Sequence, residues 1–191
     1  MLLEGLRRDP SLKNIGESMM RYHYSYLSPI GLLYLVSDGS ALVGLHFEPP
    51  VIKLDDRVIG GASVEPFPQT VEQLSKYFRG ELRKFELPIR LQGTDFQIRA
   101  WAALTEIPYG ETISYKGQAD RIGSNPRVVG LANGRNPVAV IVPCHRVIGA
   151  DGKLVGYGGG LPRKRALLQF EALVRSFGQE PMEAIANHQM V

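Results

Sequence analysis

Cysteine occurs once in these 191 residues, at position 144, and a histidine follows it directly. A single thiol can form neither an internal disulfide nor a thiolate-rich zinc site, so any chemistry at Cys144 is that of one solitary sulfur. Free cysteine is most often inert packing. The setting argues otherwise here, because Cys144 stands in Pro143-Cys144-His145-Arg146, a polar break that follows the apolar run Val138-Ala139-Val140-Ile141-Val142. Neighbouring side chains on an extended strand point to opposite faces, so His145 reaches the sulfur only if the chain turns there. A turn or helical start would also aim backbone N–H groups at the sulfur and favour the thiolate, help that a thiol of pKa about 8.5 needs near neutral pH.

An imidazole used as a base needs a group to orient it. The carboxylates of the second half are Asp95, Glu106, Glu111, Asp120, Asp151, Glu171, Glu180 and Glu183. Spacing leaves the choice among them open, and each reads equally as a solvated surface charge. The four histidines, His23, His46, His145 and His188, are scattered, and no metal centre is expected.

The elements that must position Cys144 follow from periodicity and turn chemistry. Residues 1–20 read as a polar extension with a short helix. Stretches 22–27, 32–37 and 41–47 are aromatic and β-branched, broken by Ser28-Pro29-Ile30-Gly31 and Asp38-Gly39-Ser40, and predict strands with a hairpin at the Asp-Gly pair. Pro49-Pro50 ends that unit, and a helix is predicted over 70–78 with Gly80 as its stop. Leu91-Gln92-Gly93 reads as a linker. Thr94-Asp95-Phe96-Gln97 fits a capping box opening a helix to about Glu106, with Trp101 in its apolar face. A second helix over 114–122 and a third from Pro126 to about Asn133, joined by Gly123-Ser124-Asn125, have the form of a helix-turn-helix. The run 138–142 predicts a strand buried on both faces. Asp151-Gly152 marks a turn, 156–160 a flexible loop and 163–173 a final amphipathic helix, while Pro181 argues against structure in the last ten residues.

With 44% hydrophobic and 21% charged residues the chain has the composition of a globular protein with a buried core. No apolar run approaches the ~20 residues that span a bilayer, and no secretory leader is evident. The expectation is therefore a non-secreted, cytoplasmic protein without a membrane partner. Net charge is +3; residues 1–90 carry eleven basic and eleven acidic residues, and 100–165 carry nine against four. That local excess suits a polyanion, though ordinary solvated faces share it.

The motifs taken together resemble one family. Asn136-Pro137, Val142-Pro143-Cys144-His145-Arg146-Val147, Gly156-Tyr157 and Leu168-Gln169-Phe170-Glu171, with Gly93-Thr94, Phe96-Gln97, Trp101, Ile107-Pro108-Tyr109-Gly110, Thr112 and Ser114-Tyr115 upstream, are similar to the O6-alkylguanine-DNA alkyltransferases, also called methylated-DNA-protein-cysteine methyltransferases. The likeness covers 93–172 closely and 22–89 more loosely. It implies a fold of α/β (α+β) class: an extension (1–21), a small ribonuclease-H-like sheet domain (22–90), a mostly helical carboxy-terminal domain with a helix-turn-helix (91–173) and a tail (174–191).

The resemblance also implies roles. Cys144 would be the nucleophile and permanent alkyl acceptor, His145 would take its proton through a water, Glu171 would hold the imidazole tautomer, and Asn136 would order the segment. Tyr115 would donate a hydrogen bond to the departing guanine. Arg127 would replace the everted nucleotide in the stack, with 126–133 as a recognition helix in the minor groove. Arg135, Lys116 and Ser124 would contact DNA; Arg121 and Arg146 are further candidates for phosphates. Pro143, Val147, Tyr157 and Gly158 would shape the alkyl and base pocket. The implied partner is duplex DNA carrying O6-alkylguanine, with O4-methylthymine as a second lesion, repaired by a monomer without cofactor or metal.

Attack at a saturated carbon suits a soft thiolate and requires no oxyanion hole, and the thioether product gives water no easy leaving group. One molecule would then repair one lesion. A base stacked in duplex must be extruded first, at a cost of a few kcal/mol. The chain departs from the family pattern in a helix-turn-helix turn two residues shorter than the commonest bacterial form, in Gly117 within a helix, and in Gln118 where an apolar residue is usual. Two other readings are a Cys-His thiol hydrolase, which would turn over and need oxyanion donors, and a non-catalytic alkyl-lesion-binding protein, against which the presence of Cys144 speaks.

Overall fold

The computed structural model describes residues 21–53, 56–58 and 62–178. The expected amino-terminal extension and the segment around Pro181 lie outside the described residues.

Strands β1 (Tyr22–Ser28), β2 (Gly31–Ser37) and β3 (Leu42–His46) form an antiparallel sheet, and a two-residue β4 (Arg57–Val58) joins β1 in parallel, giving the order β3-β2-β1-β4. The Asp-Gly hairpin forms as predicted. Asp38 Oδ1 accepts the N–H groups of Ser40 (3.0 Å) and Ala41 (2.9 Å), and Gly39 takes φ +91°, a region open to glycine. Leu33, Leu35, Leu42 and Leu45 turn inward and are fully buried.

Helix α1 (Phe67–Phe78) packs against this sheet through Phe67, Leu74, Tyr77 and Phe78. It starts three residues before the expected Thr70, because Pro68 lies in the first turn, where no N–H is required. In α2 (Asp95–Thr105) the capping box is present: Thr94 Oγ1 accepts from Gln97 N (3.2 Å) and Gln97 Oε1 from Thr94 N (2.9 Å). Helices α3 (Tyr115–Arg121) and α4 (Pro126–Gly134) follow, capped by Ser114 and Asn125, and form the expected helix-turn-helix. Trp101 Nε1 donates to Ala132 O (2.8 Å) and ties α2 to α4. Helix α5 (Leu161–Phe177) is longer at both ends than the expected 163–173, with Pro162 in its first turn.

One expectation fails. Residues 138–142 are buried as predicted but form no strand. Val138 makes a single parallel bridge to Leu45, and the chain then winds back, Ile141 N donating to Ala139 O (2.9 Å) and Val142 N to Val138 O (2.9 Å), with Val140 at φ +69°. Local bonds of this kind satisfy the buried backbone without a ladder. An apolar β-branched run specifies burial, not the path the chain takes. A left-handed conformation costs a β-branched residue on the order of 1–2 kcal/mol, and full packing of Val140 holds it there.

The sheet and the helices share one contiguous core, running from Leu33 and Leu45 through Trp101, Val138 and Val142 to Phe170 and Val174. Two short strands, β5 (Ile113–Ser114) before α3 and β6 (Val147–Ile148) directly after the Cys144 segment, pair in parallel.

Candidate active site and nucleic-acid interface

Asn136 shapes the turn that carries the thiol. Its Oδ1 accepts from Val138 N (3.1 Å), and its Nδ2 donates to Val142 O (2.7 Å) and to Cys144 Sγ (3.2 Å). Pro137 and Pro143 bracket the segment and demand no N–H partners. Cys144 then opens a single 3-10 turn, Cys144–Arg146, so the chain does bend where His145 required it. Sulfur, imidazole and guanidinium are all buried, with Cys144 only 7% exposed. Burial pushes the thiol above its ordinary pKa, and the Asn136 amide, the Lys164 ammonium and the backbone offset this only in part. The turn's backbone does favour the thiolate, as expected, but burial outweighs it and the net direction favours the thiol.

Glu171, on α5 and fully buried, is the carboxylate that spacing did not select. It accepts from His145 Nε2 (2.9 Å), Arg146 Nε and Nη2 (each 2.9 Å), Tyr77 Oη (2.7 Å) and Gly110 N (3.1 Å). Burial alone would raise its pKa, but the bonds and charge from His145 and Arg146 hold it far below the carboxylate range. An ionised Glu171 only accepts, so His145 carries its proton on Nε2. Burial lowers the His145 pKa against the pull of Glu171, leaving a neutral ring. Its Nδ1 is then a lone pair, and it is buried without a partner. No direct hydrogen bond joins it to Cys144 among the described residues.

Two adjoining cavities reach Cys144, and Asn133, Gly134, Tyr157 and Gly158 lie in both walls. One, of about 290 Å³, extends to Tyr115 and Gly130; the other, of about 310 Å³, extends to the sheet side at His46, Phe47 and Glu48. Tyr157 stands edge-on to His145, ring centroids 6.5 Å apart. The glycine loop lies so close to Phe47 that a Cβ on Gly159 would meet its ring at 2.5 Å. Tyr115 Oη donates to Val155 O (3.3 Å), and its pKa is raised by burial and by nearby Cys144.

Lys164, which sequence reasoning missed, is fully buried in α5 and donates to Val147 O (2.7 Å), Val155 O (2.8 Å) and Gly156 O (3.2 Å). It fastens β6 and the glycine loop to α5. Only its place on the inner face of an amphipathic helix could have signalled it. Tyr77, from the sheet half, was missed for lack of any local motif.

The structure separates other expected site residues. Val147 is fully buried and pairs with Ile113, and Pro143 lines a cavity with Ile107 and Tyr109; neither borders the two cavities at Cys144. Arg146 does not face phosphate: its Nη1 donates to Ile107 O (2.7 Å) and the rest of its guanidinium grips Glu171. Arg121, Arg127 and Arg135 are exposed, and Ser124 is half-buried in the turn before α4. Lys116 is exposed in an ion pair with Asp120 (2.6 Å). Asn125 Oδ1 accepts from Arg127 N (2.8 Å), fixing the start of α4. Val128 and Leu131, 44% and 63% exposed, share that open helix surface with the two arginines.

A buried thiol set in a cavity wall, with a neutral histidine and its ionised glutamate beside it and a helix-turn-helix bearing exposed arginines, is the combination that a sulfur nucleophile acting on nucleic acid would need. Comparison with known proteins gives that class its family. Residues 95–173 match the DNA-binding domain of 6-O-methylguanine DNA methyltransferase, and residues 20–91 match its ribonuclease-like domain. The methylated-DNA--protein-cysteine methyltransferase of Mycobacterium tuberculosis (strain H37Rv) is 52% identical over 157 residues, covering 78% of this chain and 92% of that one. The enzyme of that name from Methanosarcina acetivorans is 46% identical over 153 residues, covering 78% and 97%. The crystal structure of Mycobacterium tuberculosis OGT in complex with DNA superposes with a TM-score of 0.72 at 51% identity, covering 80% of this chain and 92% of that one. The chain belongs to the methylated-DNA-protein-cysteine methyltransferase family.

Proposed function

We propose that this protein repairs DNA by moving the alkyl group of O6-alkylguanine, and of O4-methylthymine, onto Cys144. The observation that carries the reading is Cys144 in the wall of two cavities, next to a neutral histidine whose Nδ1 lone pair is buried and free.

The Cys144 proton passes to His145 Nδ1 through a water, and the imidazolium so formed is stabilised by ionised Glu171. Sulfur attacks the alkyl carbon as the bond from carbon to O6 breaks, and the electron pair leaves with the purine. The proton returns to the purine, so a thiol and O6-alkylguanine become a thioether and guanine. Tyr115 exchanges its bond to Val155 for one to the base; its raised pKa makes it a hydrogen-bond donor rather than a proton source. Asn136 holds the sulfur in line. Cavities of about 300 Å³ admit one nucleobase, which must be everted from the duplex, and Arg127 at the start of α4 fills the gap it leaves.

Exposed Arg127 and Arg135, with Val128 and Leu131 between them, support α4 as the helix that lies on DNA, and Lys116 and Ser124 flank it. No helix among the described residues is long and apolar enough to cross a membrane; cytoplasmic location is part of this reading. The thiol-hydrolase and binding-only readings are not favoured by the family match.

Titration of a fixed amount of protein with excess methylated duplex tests the proposal. The expected result is loss of one O6-methylguanine per molecule and then no further reaction; continued turnover would support a hydrolase instead.

A further inference from the structure

The two helices of the helix-turn-helix are fastened by a pair of buried primary amides. Gln118 on α3 is 0% exposed and Asn133 on α4 is 5% exposed. Gln118 Nε2 donates to Ala100 O (2.9 Å) and to Asn133 Oδ1 (3.2 Å), and Asn133 Nδ2 donates to Gln118 Oε1 (2.7 Å). The Ala100 carbonyl only accepts, so it decides which end of the Gln118 amide faces α2. That choice in turn decides how the Asn133 amide must lie. Both Gln118 hydrogens are used. Asn133 Nδ2 retains one hydrogen with no further partner among the described residues.

Asn133 also stands in the wall of both cavities that open on Cys144. An apolar pair would fill the space between α3 and α4 without burying two primary amides, and position 118 departs from the family pattern in being polar. A buried polar pair of this kind adds little net stability; what its mutual bonds do is select one orientation.

We propose that Asn133 presents its remaining amide N–H to the everted base, and that Gln118 is the positioning residue that holds it in that orientation. The acceptor is a ring nitrogen or exocyclic oxygen of the alkylated nucleobase. The inference rests on the alkyl-transfer reading. Tyr115 borders the 290 Å³ cavity with Asn133, so the base meets two donors there, and both bonds strengthen as it gains negative charge during transfer.

The test uses the full chain and a duplex containing one O6-methylguanine. First-order transfer rate at saturating DNA, duplex affinity and melting temperature are measured for wild type, Gln118→Leu, Asn133→Leu and the double variant. Gln118→Leu is expected to lower the saturating rate about tenfold or more with duplex affinity within about twofold. The double variant, with an apolar pair in place of the amides, is expected to melt close to wild type and to transfer as slowly as Asn133→Leu. It decides the matter where a single variant fails to fold. A double variant that transfers within about twofold of wild type overturns the inference. A wild type that transfers no methyl group overturns the alkyl-transfer reading itself.

Discussion

At the scale of residues, burial raises the Cys144 thiol and lowers the His145 imidazole, and in the proposed mechanism a water carries one proton from sulfur to ring. Because that proton never leaves the site, the transfer rate is expected to be flat from roughly pH 6.5 to 8.5, between the ordinary His and Cys values. His145→Gln removes the acceptor. Its rate at pH 7 is expected to fall by roughly 10²–10⁴-fold and to rise with pH toward the raised thiol pKa, as single-turnover kinetics across pH would show; a flat profile in the variant would contradict the relay. Acid should also unfold the protein in a defined order. His145 is lowered in the fold, so protonation favours the unfolded chain once the pH drops below 6.5, its ordinary value. Glu171 is lowered too, and the stability it contributes is lost as the pH falls below its ordinary 4.5. Arg146→Leu leaves the buried Glu171 without its two-pronged partner and is expected to cost about 3–5 kcal/mol in urea unfolding. Arg146→Lys is expected to recover only part of this, since an ammonium cannot bridge both oxygens. The Cys-His pair was legible in the sequence as soon as a turn was assumed. Glu171 was reached only through family likeness, because a partner 26 residues away on another helix leaves no local signal. Arg146 was misread as a candidate for phosphate contact for the same reason.

Elements whose signals are local were read correctly, including the Thr94 capping box, the Asp38-Gly39 hairpin and Pro126 at the start of α4. The segment 138–142 was not, because its path depends on Asn136, a side chain that takes two backbone partners in the segment and the sulfur beside it. The residues of α4 separate into an inner set, Val129, Ala132 and Asn133, and an outer set that includes Arg127, Val128 and Leu131, with Arg135 exposed at the cap that follows. If Arg127 fills the space of an everted nucleotide, Arg127→Ala is expected to slow repair in duplex far more than in single-stranded DNA, where nothing needs to be held apart. Equal losses on the two substrates would remove that role and leave Arg127 as a phosphate contact.

Across the whole molecule, the sheet half is more than an appendage to the site. Tyr77 from α1 donates to Glu171, Leu45 of β3 bridges Val138, and Phe47 packs on Tyr157 with ring centroids 5.5 Å apart. We propose that 22–90 and 91–173 are two domains that unfold as one unit. Tyr77→Phe is expected to cost about 1–3 kcal/mol, because a buried carboxylate loses a donor, and to slow transfer through Glu171. Trp101 fluorescence, reporting on the helical half, and far-ultraviolet circular dichroism are expected to give one coincident transition; two separated transitions would contradict the shared core.

Mass spectrometry after reaction with an O6-methylguanine duplex tests the central claim most directly. Peptide mapping is expected to find one added methyl group, on the peptide containing Cys144, and none in Cys144→Ser. A methyl group on any other residue, or an unmodified protein alongside a repaired strand, would contradict it.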